Sequence, residues 1–323
     1  MIEGHGDDAY RYDGIKSDFS SNICAHAAHH ALMEHLAAHP ELVSHYPEPE
    51  AWSLERMIAE RLDVDPRCVI VTSGATEAIY LVAQTFRMKH VTPETSFSEY
   101  DDAIKLFPTE DSTLTARWIC NPNNPTGCTV HRNVISSLAR EYDLMVIDQS
   151  YEQYTSEPVM SARSAVRYGN IVQIHSMTKT YAVPGLRLGY IVAASRLAAA
   201  IRRQMRPWSV SSIAIEAGRF LLQHDELVCQ PDLDEAKRLR LRLMAIEGIS
   251  VSPSDTNFML CLLPSRTAAE LKDYLAREHH ILIRDASNFK GLSPRHFRIA
   301  SQTPAENDSL VEAIHQFLTA QNG

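Results

Sequence analysis

The sequence predicts an α/β fold with a mostly parallel central sheet flanked by helices, followed by a smaller α+β domain at the C-terminus. Short apolar runs alternate with segments of helical spacing along most of the chain, which is typical of βα units. Most of these runs end in a polar cluster, and an open parallel sheet binds ligands at the carboxyl ends of its strands. Of the 323 residues, 45% are hydrophobic and 22% charged, an ordinary composition for a globular protein.

Each predicted element follows from a local pattern. Residues 68–74, "CVIVTSG", are an apolar run closed by a glycine, which indicates a buried strand and a turn. Residues 75–86 place Ala78, Ile79 and Val82 at helical spacing. By the same criteria, strands are predicted within 116–127, 143–151, 170–179, 187–193, 256–263 and 296–301, and helices within 196–245 and 304–320.

Composition and charge argue against several classes of function. The formal net charge of −9 disfavours non-specific nucleic-acid binding, and no apolar run approaches the ~18 residues that a membrane span needs. The acidic N-terminus is unlike a secretory signal. The six cysteines lack C-x-x-C spacing, which favours reduced thiols in a cytoplasmic protein. No metal is expected, because the histidines crowded into 26–45 have no completing ligand set and fit a polar helix face.

The segment "TSGATEA" joins a predicted strand to a predicted helix through a glycine turn. The backbone N–H groups of Gly74, Ala75 and Thr76 are then expected at the helix N-terminus, where a phosphate group binds favourably. For this segment alone, an ordinary capped turn is the simpler interpretation. The segment matches neither a P-loop nor the G-x-G-x-x-G fingerprint, so it does not favour a nucleotide.

Two further polar clusters follow predicted strands. In "NPNNPTG", Pro122 and Pro125 stiffen a loop, which holds the Asn124 amide where it can hydrogen-bond a ligand oxygen. Asp148 ends an apolar strand, where a carboxylate is costly unless it is paired. A protonated pyridine nitrogen is one possible partner, and capping of the following turn is the alternative. Tyr151 stands three residues later and can reach the same ligand.

Lys179 lies between an apolar strand and a Pro-Gly turn, in "HSMTKTYAVPGLRLGY". Helix amides and a second cation, Arg187, are expected to lower the pKa of this amine, which leaves it partly free to attack an aldehyde. Ser176, Thr178 and Arg187 are candidates to hold a phosphate together with the 73–76 turn. The spacing Ser176-x-x-Lys179 also matches a serine-hydrolase pattern, but the K-T-G element of that pattern is absent from the sequence.

In this combination and order, the motifs resemble those of the fold-type I pyridoxal-phosphate enzymes, close to the histidinol-phosphate aminotransferases. The resemblance runs from about residue 18 to the C-terminus, and its motifs are specific in combination. They are "SGATEA", "NPNNPTG", "IDQSY", "SMTKTYAVPGLRLGY" and "FRIAS".

The resemblance implies pyridoxal 5'-phosphate as the cofactor and gives each candidate residue a role. Lys179 would bind the cofactor aldehyde covalently, and Asp148 would pair with the ring nitrogen. Asn124 and Tyr151 would hold the phenolic oxygen of the ring. Phe97, in "TSFSEY", would stack on the ring where relatives often have a tyrosine. The cofactor phosphate would lie among Gly74, Ala75, Thr76, Ser176 and Arg187.

The resemblance also implies an oligomer and a domain plan. Tyr46, in "SHYPEP", is similar to the tyrosine that reaches the cofactor phosphate of a neighbouring subunit, which implies a homodimer with shared sites. Arg298 matches the arginine that binds the substrate α-carboxylate through two hydrogen bonds. We expect an N-terminal arm over 1–40, a large cofactor-binding domain over 41–205 and a small domain over 206–323.

One branch of the family resembles this chain more closely, namely the threonine-phosphate decarboxylases of cobalamin synthesis. The matching segments are "GHGDD", "DFSSNI", "TSFSEYDDA" and above all "IRDASNFKGL". The implied substrate, O-phospho-L-threonine, carries a carboxylate and a phosphate. Arg284, Arg298, His5 and Asn22 are the groups available to bind them. The alternatives are a frayed N-terminus for His5 and a structural ion pair for Arg284.

The sequence departs from this branch in two places. The segment between Phe97 and Asn121 is shorter than relatives usually have, so a helix or strand is expected to be missing or trimmed. Asp7 follows Gly6 where the branch has paired glycines, and a carboxylate beside an anion site does not favour the role of His5.

Three functions follow from these observations. The resemblance implies decarboxylation of O-phospho-L-threonine to 1-amino-2-propanol phosphate. The alternative is an aminotransferase for histidinol phosphate or a related amino acid, because the same residues can instead promote removal of the Cα proton by Lys179. A ligand-binding module that keeps the fold without the chemistry is the third, and the intact Lys179, Asp148 and Asn124 argue against it.

Overall fold

The computed structural model describes residues 8–24, 29–109 and 111–319 of the chain. Its strands are β1 (Ser17–Asp18), β2 (Val69–Thr72), β3 (Lys89–Val91), β4 (Thr115–Cys120), β5 (Leu144–Asp148), β6 (Ile171–Ser176), β7 (Gly189–Ala193), β8 (Ser250–Val251), β9 (Phe258–Leu262), β10 (Ile281–Leu282), β11 (Arg284–Asp285) and β12 (His296–Ala300). Its α-helices are α1 (His30–Ala37), α2 (Trp52–Leu62), α3 (Gly74–Thr85), α4 (Glu99–Leu106), α5 (Arg132–Leu138), α6 (Ala162–Tyr168), α7 (Met177–Thr180), α8 (Ser195–Arg202), α9 (Ser212–Leu222), α10 (Leu233–Met244), α11 (Ala268–His279) and α12 (Pro304–Thr319).

The central sheet of the described residues has six strands in the order β2-β7-β6-β5-β4-β3. Strands β3, β4, β5 and β6 pair in parallel, whereas β7 is antiparallel to both β2 and β6. Strand β2 therefore runs in the same direction as β4, β5 and β6. The carboxyl ends of these four strands meet at one edge of the sheet, as the predicted mostly parallel sheet requires.

Helices cover both faces of the central sheet. All five residues of β5 are buried, which is typical of a parallel strand enclosed by helices. One face packs against α3 through Ala78, Ile79 and Val82. The other face packs against α5 and α6 through Ile135 and Ala165. The strand ends are therefore held by a rigid core.

The C-terminal part of the chain forms a four-stranded antiparallel sheet in the order β11-β12-β9-β8. Helices α10, α11 and α12 contribute Leu239, Leu271 and Ile314 to the core beside this sheet. The N-terminal residues join the same core, because β1 pairs in parallel with β10 and Phe19 is fully buried there. The Phe19 carbonyl accepts a hydrogen bond from Ala300 N–H at 2.9 Å, so the segment after β1 lies against the end of β12.

The segment that the sequence indicated to be trimmed contains helix α4 and strand β4. Helix α4 and the short strand β3 were not predicted. Tyr100, in the first turn of α4, is buried against Trp118 of β4, with ring centres 5.3 Å apart. In the described ranges, the helices are all too short or too polar to cross a membrane.

Candidate active site

A cavity of about 310 Å³ lies where the carboxyl ends of β2, β4, β5 and β6 meet β11 and β12. The structure thus brings together residues that are far apart along the chain, from Ser20 to Arg298. The residues that line the cavity include Ser20, Asn22, Ala75, Thr76, Phe97, Tyr100, Asn124, Asp148, Ser150, Tyr151, Ser176, Thr178, Lys179, Arg187, Arg284, Phe289 and Arg298.

Two of the predicted site residues that the structure describes, Gly74 and Tyr46, do not line the cavity. Gly74 begins α3, directly before Ala75, which does line the cavity. Tyr46 lies on the surface with 86% of its area exposed, and its ring centre is 5.4 Å from that of Trp208. His5 lies outside the described residues, so its predicted role has no structural counterpart here.

The turn between β2 and α3 brings an arginine to a helix N-terminus. Gly74 has a φ of +81°, and a Cβ at this position would lie 2.8 Å from Nη2 of Arg187. Only glycine therefore allows both the turn and the close approach of the guanidinium group. Ser73 N–H donates to the Glu77 carboxylate at 2.5 Å, which fixes the start of the helix. A helix N-terminus next to a cation is a favourable site for a phosphate group.

The loop after β4 fixes Asn124 against the C-terminal sheet. Gly127 has a φ of +76°, and a Cβ there would lie 2.0 Å from Ser254 Oγ and 2.7 Å from the Phe258 carbonyl. The loop therefore packs closely on the residues that lead into β9. Asn124 is buried, and its Oδ1 accepts a hydrogen bond from Arg298 Nη1 at 2.5 Å. The two sheets are thus linked inside the cavity.

Asp148 is buried at the end of β5 and accepts three hydrogen bonds. Its Oδ1 accepts from Ser150 N–H at 2.9 Å and from Ser150 Oγ at 2.6 Å. Its Oδ2 accepts from Tyr100 Oη at 2.7 Å. Oδ1 therefore caps the turn that follows β5, which is the alternative role expected for Asp148. A carboxylate has about four acceptor positions, so Oδ2 retains capacity for a further donor.

Lys179 follows β6 in the single helical turn α7. Its Nζ is 5.7 Å from the centre of the Tyr151 ring, within the cavity. Its carbonyl accepts a hydrogen bond from Tyr154 Oη at 3.0 Å. Burial raises the pKa of Tyr151 to about 12, against the opposing effect of Arg298. Tyr151 is therefore a neutral hydrogen-bond donor near neutral pH.

Two arginines on neighbouring strands line the cavity. Arg284 and Arg298 are directly opposite in the antiparallel pair β11–β12, and only 6% and 5% of their areas are exposed. Arg284 Nη2 donates to Asn288 Oδ1 at 2.8 Å, and Arg298 Nη2 donates to the Ser20 carbonyl at 2.5 Å. Burial lowers the pKa of Arg298 to about 10, and the nearby charge of Arg284 acts in the same direction. Like charges opposite each other are destabilising, which an anion between them would offset.

Several residues of the cavity were missed by sequence reasoning. Tyr100 contacts Asp148 directly, although the two are 48 positions apart in the sequence. Ser150 supplies two of the three donors to that carboxylate. Ser20 binds Arg298 through its backbone carbonyl, which no side-chain pattern reports. Tyr100 had a local signal, because it lies in "TSFSEY", three residues after Phe97.

The chain is similar in sequence to known proteins over most of its length. Residues 110–314 match the sequence profile of the family "Aminotransferase class I and II". The chain is 28% identical to the threonine-phosphate decarboxylase of Salmonella typhimurium, over 94% of this chain and 91% of that protein.

Two solved structures show the same fold. L-threonine-O-3-phosphate decarboxylase from Porphyromonas gingivalis superposes with a TM-score of 0.88 at 35% identity, over 94% of this chain and 99% of that one. A histidinol-phosphate aminotransferase from Sinorhizobium meliloti, solved in complex with pyridoxal-5'-phosphate, superposes with a TM-score of 0.80 at 18% identity, over 97% of this chain and 93% of that one. The predicted fold and family are confirmed: this chain belongs to the class I and II aminotransferase family.

Proposed function

We propose that this chain is a pyridoxal-phosphate-dependent lyase that converts O-phospho-L-threonine to (R)-1-amino-2-propanol O-phosphate and carbon dioxide for cobalamin synthesis. The observation that carries the proposal is the pair Arg284 and Arg298, buried opposite each other in the same cavity as Lys179. Two adjacent buried cations suit a substrate that carries both a carboxylate and a phosphate. The names of the Salmonella typhimurium and Porphyromonas gingivalis relatives support the same assignment.

The cavity fits pyridoxal phosphate. Among the described residues, Thr178 Oγ1 and Arg298 Nε are buried without a hydrogen-bond partner, as are both amide atoms of Asn22. Buried polar groups are normally satisfied, so these atoms favour a polar ligand. The first turn of α3 and Arg187 offer a phosphate cradle at one end of the cavity.

The residues would hold the cofactor as the resemblance implies. Ala75, Thr76, Ser176, Thr178 and Arg187 would surround its phosphate, with the Gly74 amide beneath. Phe97 would cover one face of the ring. Asn124 and Tyr151 would donate hydrogen bonds to its phenolic oxygen, and Asp148 Oδ2 would accept one from its ring nitrogen.

When bound, pyridoxal phosphate supplies a pyridinium ring that accepts the electron pair left by the departing group. Asp148 keeps the ring nitrogen protonated, because a nearby carboxylate favours the charged form of a cation. Lys179 supplies the amine that holds the cofactor and afterwards a group that moves a proton at Cα. Arg298 orients the substrate carboxylate, and this orientation decides whether carbon dioxide or a proton leaves.

The substrate phosphate is assigned to the side of the cavity that contains Arg284. This guanidinium group is buried and held in place by Asn288 and by the Phe289 ring, whose centre lies 5.4 Å away. Asn22, fully buried beside the cavity, is the second proposed donor. Charge-assisted hydrogen bonds to phosphate are among the stronger polar interactions in proteins.

An aminotransferase acting on histidinol phosphate or a related amino acid is the second candidate. The structural similarity to the Sinorhizobium meliloti aminotransferase reflects the shared fold. Lys179 would serve both reactions, and Arg298 would bind the carboxylate of an amino-acid substrate in either. The second buried arginine, Arg284, favours the decarboxylase, because it provides for a negative charge close to the carboxylate.

We further propose a cytoplasmic homodimer with shared active sites. Tyr46 is 86% exposed and does not line the cavity of its own chain, although the resemblance assigns it to a cofactor phosphate. A large exposed aromatic side chain next to the exposed Trp208 suits an interface with a second copy.

The deciding experiment supplies phosphothreonine to the holoenzyme without any keto acid. We expect release of carbon dioxide and of aminopropanol phosphate at a steady rate. Turnover that requires 2-oxoglutarate and retains the carboxylate would instead establish the aminotransferase. The purified protein should also show a visible absorbance band that Lys179→Ala abolishes, and a colourless protein that cannot be reconstituted would refute both enzymatic functions.

A further inference from the structure

Two cysteines meet beside the backbone of Lys179, outside the site described above. Cys24 is half-buried and Cys229 is buried, and their thiols hydrogen-bond to each other. Both backbone N–H groups are linked by hydrogen bonds to the backbone of Lys179 and Thr180, one through the Tyr154 hydroxyl and one directly. Cys24 N–H donates to Tyr154 Oη at 3.2 Å, and that hydroxyl donates to the Lys179 carbonyl at 3.0 Å. Cys229 N–H donates to the carbonyl of the next residue, Thr180, at 2.8 Å.

The two thiols differ in ways that suit a redox pair. The hydrogen bond from Cys229 lowers the pKa of Cys24, whereas the same hydrogen bond and burial raise the pKa of Cys229. Cys24 also borders a second cavity of about 310 Å³, lined in part by Gln230 and Asn257. A small oxidant can therefore reach the thiol with the greater thiolate character, which is the more reactive form.

Cys24 directly follows residues 20–23, which line the active-site cavity. In this segment the Ser20 carbonyl accepts a hydrogen bond from Arg298, and Asn22 lines the cavity. A covalent bond from Cys24 to Cys229 would tie this segment to the loop before α10. The bond requires the sulfur atoms to approach to about 2.05 Å, so the hydrogen bond from Cys24 to Tyr154 must adjust.

We propose that Cys24 and Cys229 are a modification site at which a peroxide closes an intramolecular disulfide that weakens amino-acid binding. The Cys24 thiolate attacks one peroxide oxygen and becomes a sulfenic acid, and the other oxygen leaves as water after taking up a proton. The Cys229 sulfur then attacks the Cys24 sulfur, and the hydroxyl group leaves as a second water. Two thiols are oxidised by two electrons in total, and one hydrogen peroxide is reduced to two waters.

The linkage is tested on the holoprotein treated with hydrogen peroxide and digested without reductant. We expect a Cys24–Cys229 linked peptide that dithiothreitol removes. Cys229→Ser should stop at the sulfenic acid on Cys24, which dimedone traps. Cys128→Ser is the matched control, because Cys128 is also half-buried but its Sγ donates to the Pro253 carbonyl at 3.2 Å. A protein that remains fully reduced, or that links other cysteines, would overturn the site.

The consequence for binding rests on the proposed function and is measured separately, as the phosphothreonine concentration that half-saturates the spectral change of the cofactor. Oxidised wild type should need at least about fivefold more substrate, and dithiothreitol should restore it. Cys24→Ser should be insensitive to peroxide in this assay. An unchanged affinity in the linked protein would refute the effect on binding, whereas a protein that ignores phosphothreonine before oxidation would refute the proposed function instead.

Discussion

Arg284 and Arg298 occupy directly opposed positions in the antiparallel pair β11–β12, so that two buried guanidinium groups leave the same face of one sheet. Side chains of such a pair have Cβ atoms about 5 Å apart. Arg298 donates to the Asn124 side chain and to the Ser20 carbonyl, and Arg284 donates to the Asn288 side chain. A ligand with two anionic groups would offset the energetic cost of burying two neighbouring cations. Because each arginine is assigned to a different group of the ligand, mutating one at a time tests the two assignments separately.

Arg284→Ala should weaken binding of phosphothreonine by about 10- to 150-fold, because a hydrogen bond to a charged group contributes about 1.5–3 kcal/mol. Binding of threonine, which lacks the phosphate, should change little. Titration of the cofactor spectrum with each ligand measures both effects. Arg277→Ala is the control, since 68% of that side chain is exposed. Equal losses for the two ligands would contradict the assignment of Arg284 to the phosphate.

Arg298→Ala should weaken amino-acid binding much more than cofactor binding. Arg298 also holds Asn124 and the Ser20 carbonyl, so a thermal unfolding measurement must accompany the binding assay. Arg298→Lys keeps the charge but loses the bidentate geometry, and it should retain the fold while losing affinity for both phosphothreonine and threonine. If cofactor and substrate affinities fall by the same factor, the carboxylate assignment is wrong.

Asp148→Asn should leave a protein that binds the cofactor but turns over slowly. The amide is nearly isosteric with the carboxylate but carries no charge to favour the protonated ring nitrogen. Single-turnover kinetics should show a large loss in the chemical step. Tyr100→Phe is the companion variant, because it removes the 2.7 Å hydrogen bond to Oδ2 and keeps the charge of Asp148. Near wild-type turnover in Asp148→Asn would refute its role.

Local pattern was sufficient to predict the buried strands of the central sheet and the side of that sheet where ligands bind. The run that ends in Asp148 is apolar throughout, and the structure buries all five residues of β5. The strand ends carrying Asn124, Asp148 and Lys179 meet because parallel strands share one carboxyl edge. Both features follow from the spacing of the apolar residues and from the alternation of strands and helices, and both of these can be read from the sequence.

Contacts between distant segments could not be predicted in the same way. The pairing of β1 with β10 joins positions more than 260 residues apart, and each strand is only two residues long. The hydrogen bond from Tyr100 to Asp148 depends on where α4 packs, and that helix was not foreseen. The role of the Ser20 carbonyl is a backbone contact, which any residue type could make.

Gly127→Ala should destabilise the protein more than Gly169→Ala does. Both glycines have nearly the same left-handed φ, +76° and +77°, so the backbone cost of about 1–2 kcal/mol is common to both. A Cβ on Gly127 would also collide with Ser254 Oγ and the Phe258 carbonyl, whereas nothing lies within 4 Å of a Cβ on Gly169. Urea unfolding of both variants measures the difference. Equal free energies of unfolding would show that the Asn124 loop can shift without cost.

The free energy of unfolding should decrease as the pH falls below about 6.5, partly because of His90. Trp118 Nε1 donates to His90 Nδ1 at 2.9 Å, which requires an unprotonated Nδ1, and burial lowers the pKa of His90. Below the unfolded-state pKa of about 6.5, the unfolded chain therefore binds a proton that the folded chain does not. The free energy of unfolding decreases as the pH falls until the folded pKa is reached.

His90→Gln tests this, because an amide oxygen can accept the hydrogen bond from Trp118 and does not titrate. Urea midpoints of wild type and variant would be measured at about pH 7 and about pH 5.5, on either side of the unfolded-state pKa. We expect the wild type to lose more stability between the two conditions, by at most about 1.4 kcal/mol for each pH unit. The other histidines contribute equally to both proteins, so their effect cancels in the comparison. An identical loss in both proteins would mean that His90 takes up its proton in the folded state as readily as in the unfolded chain.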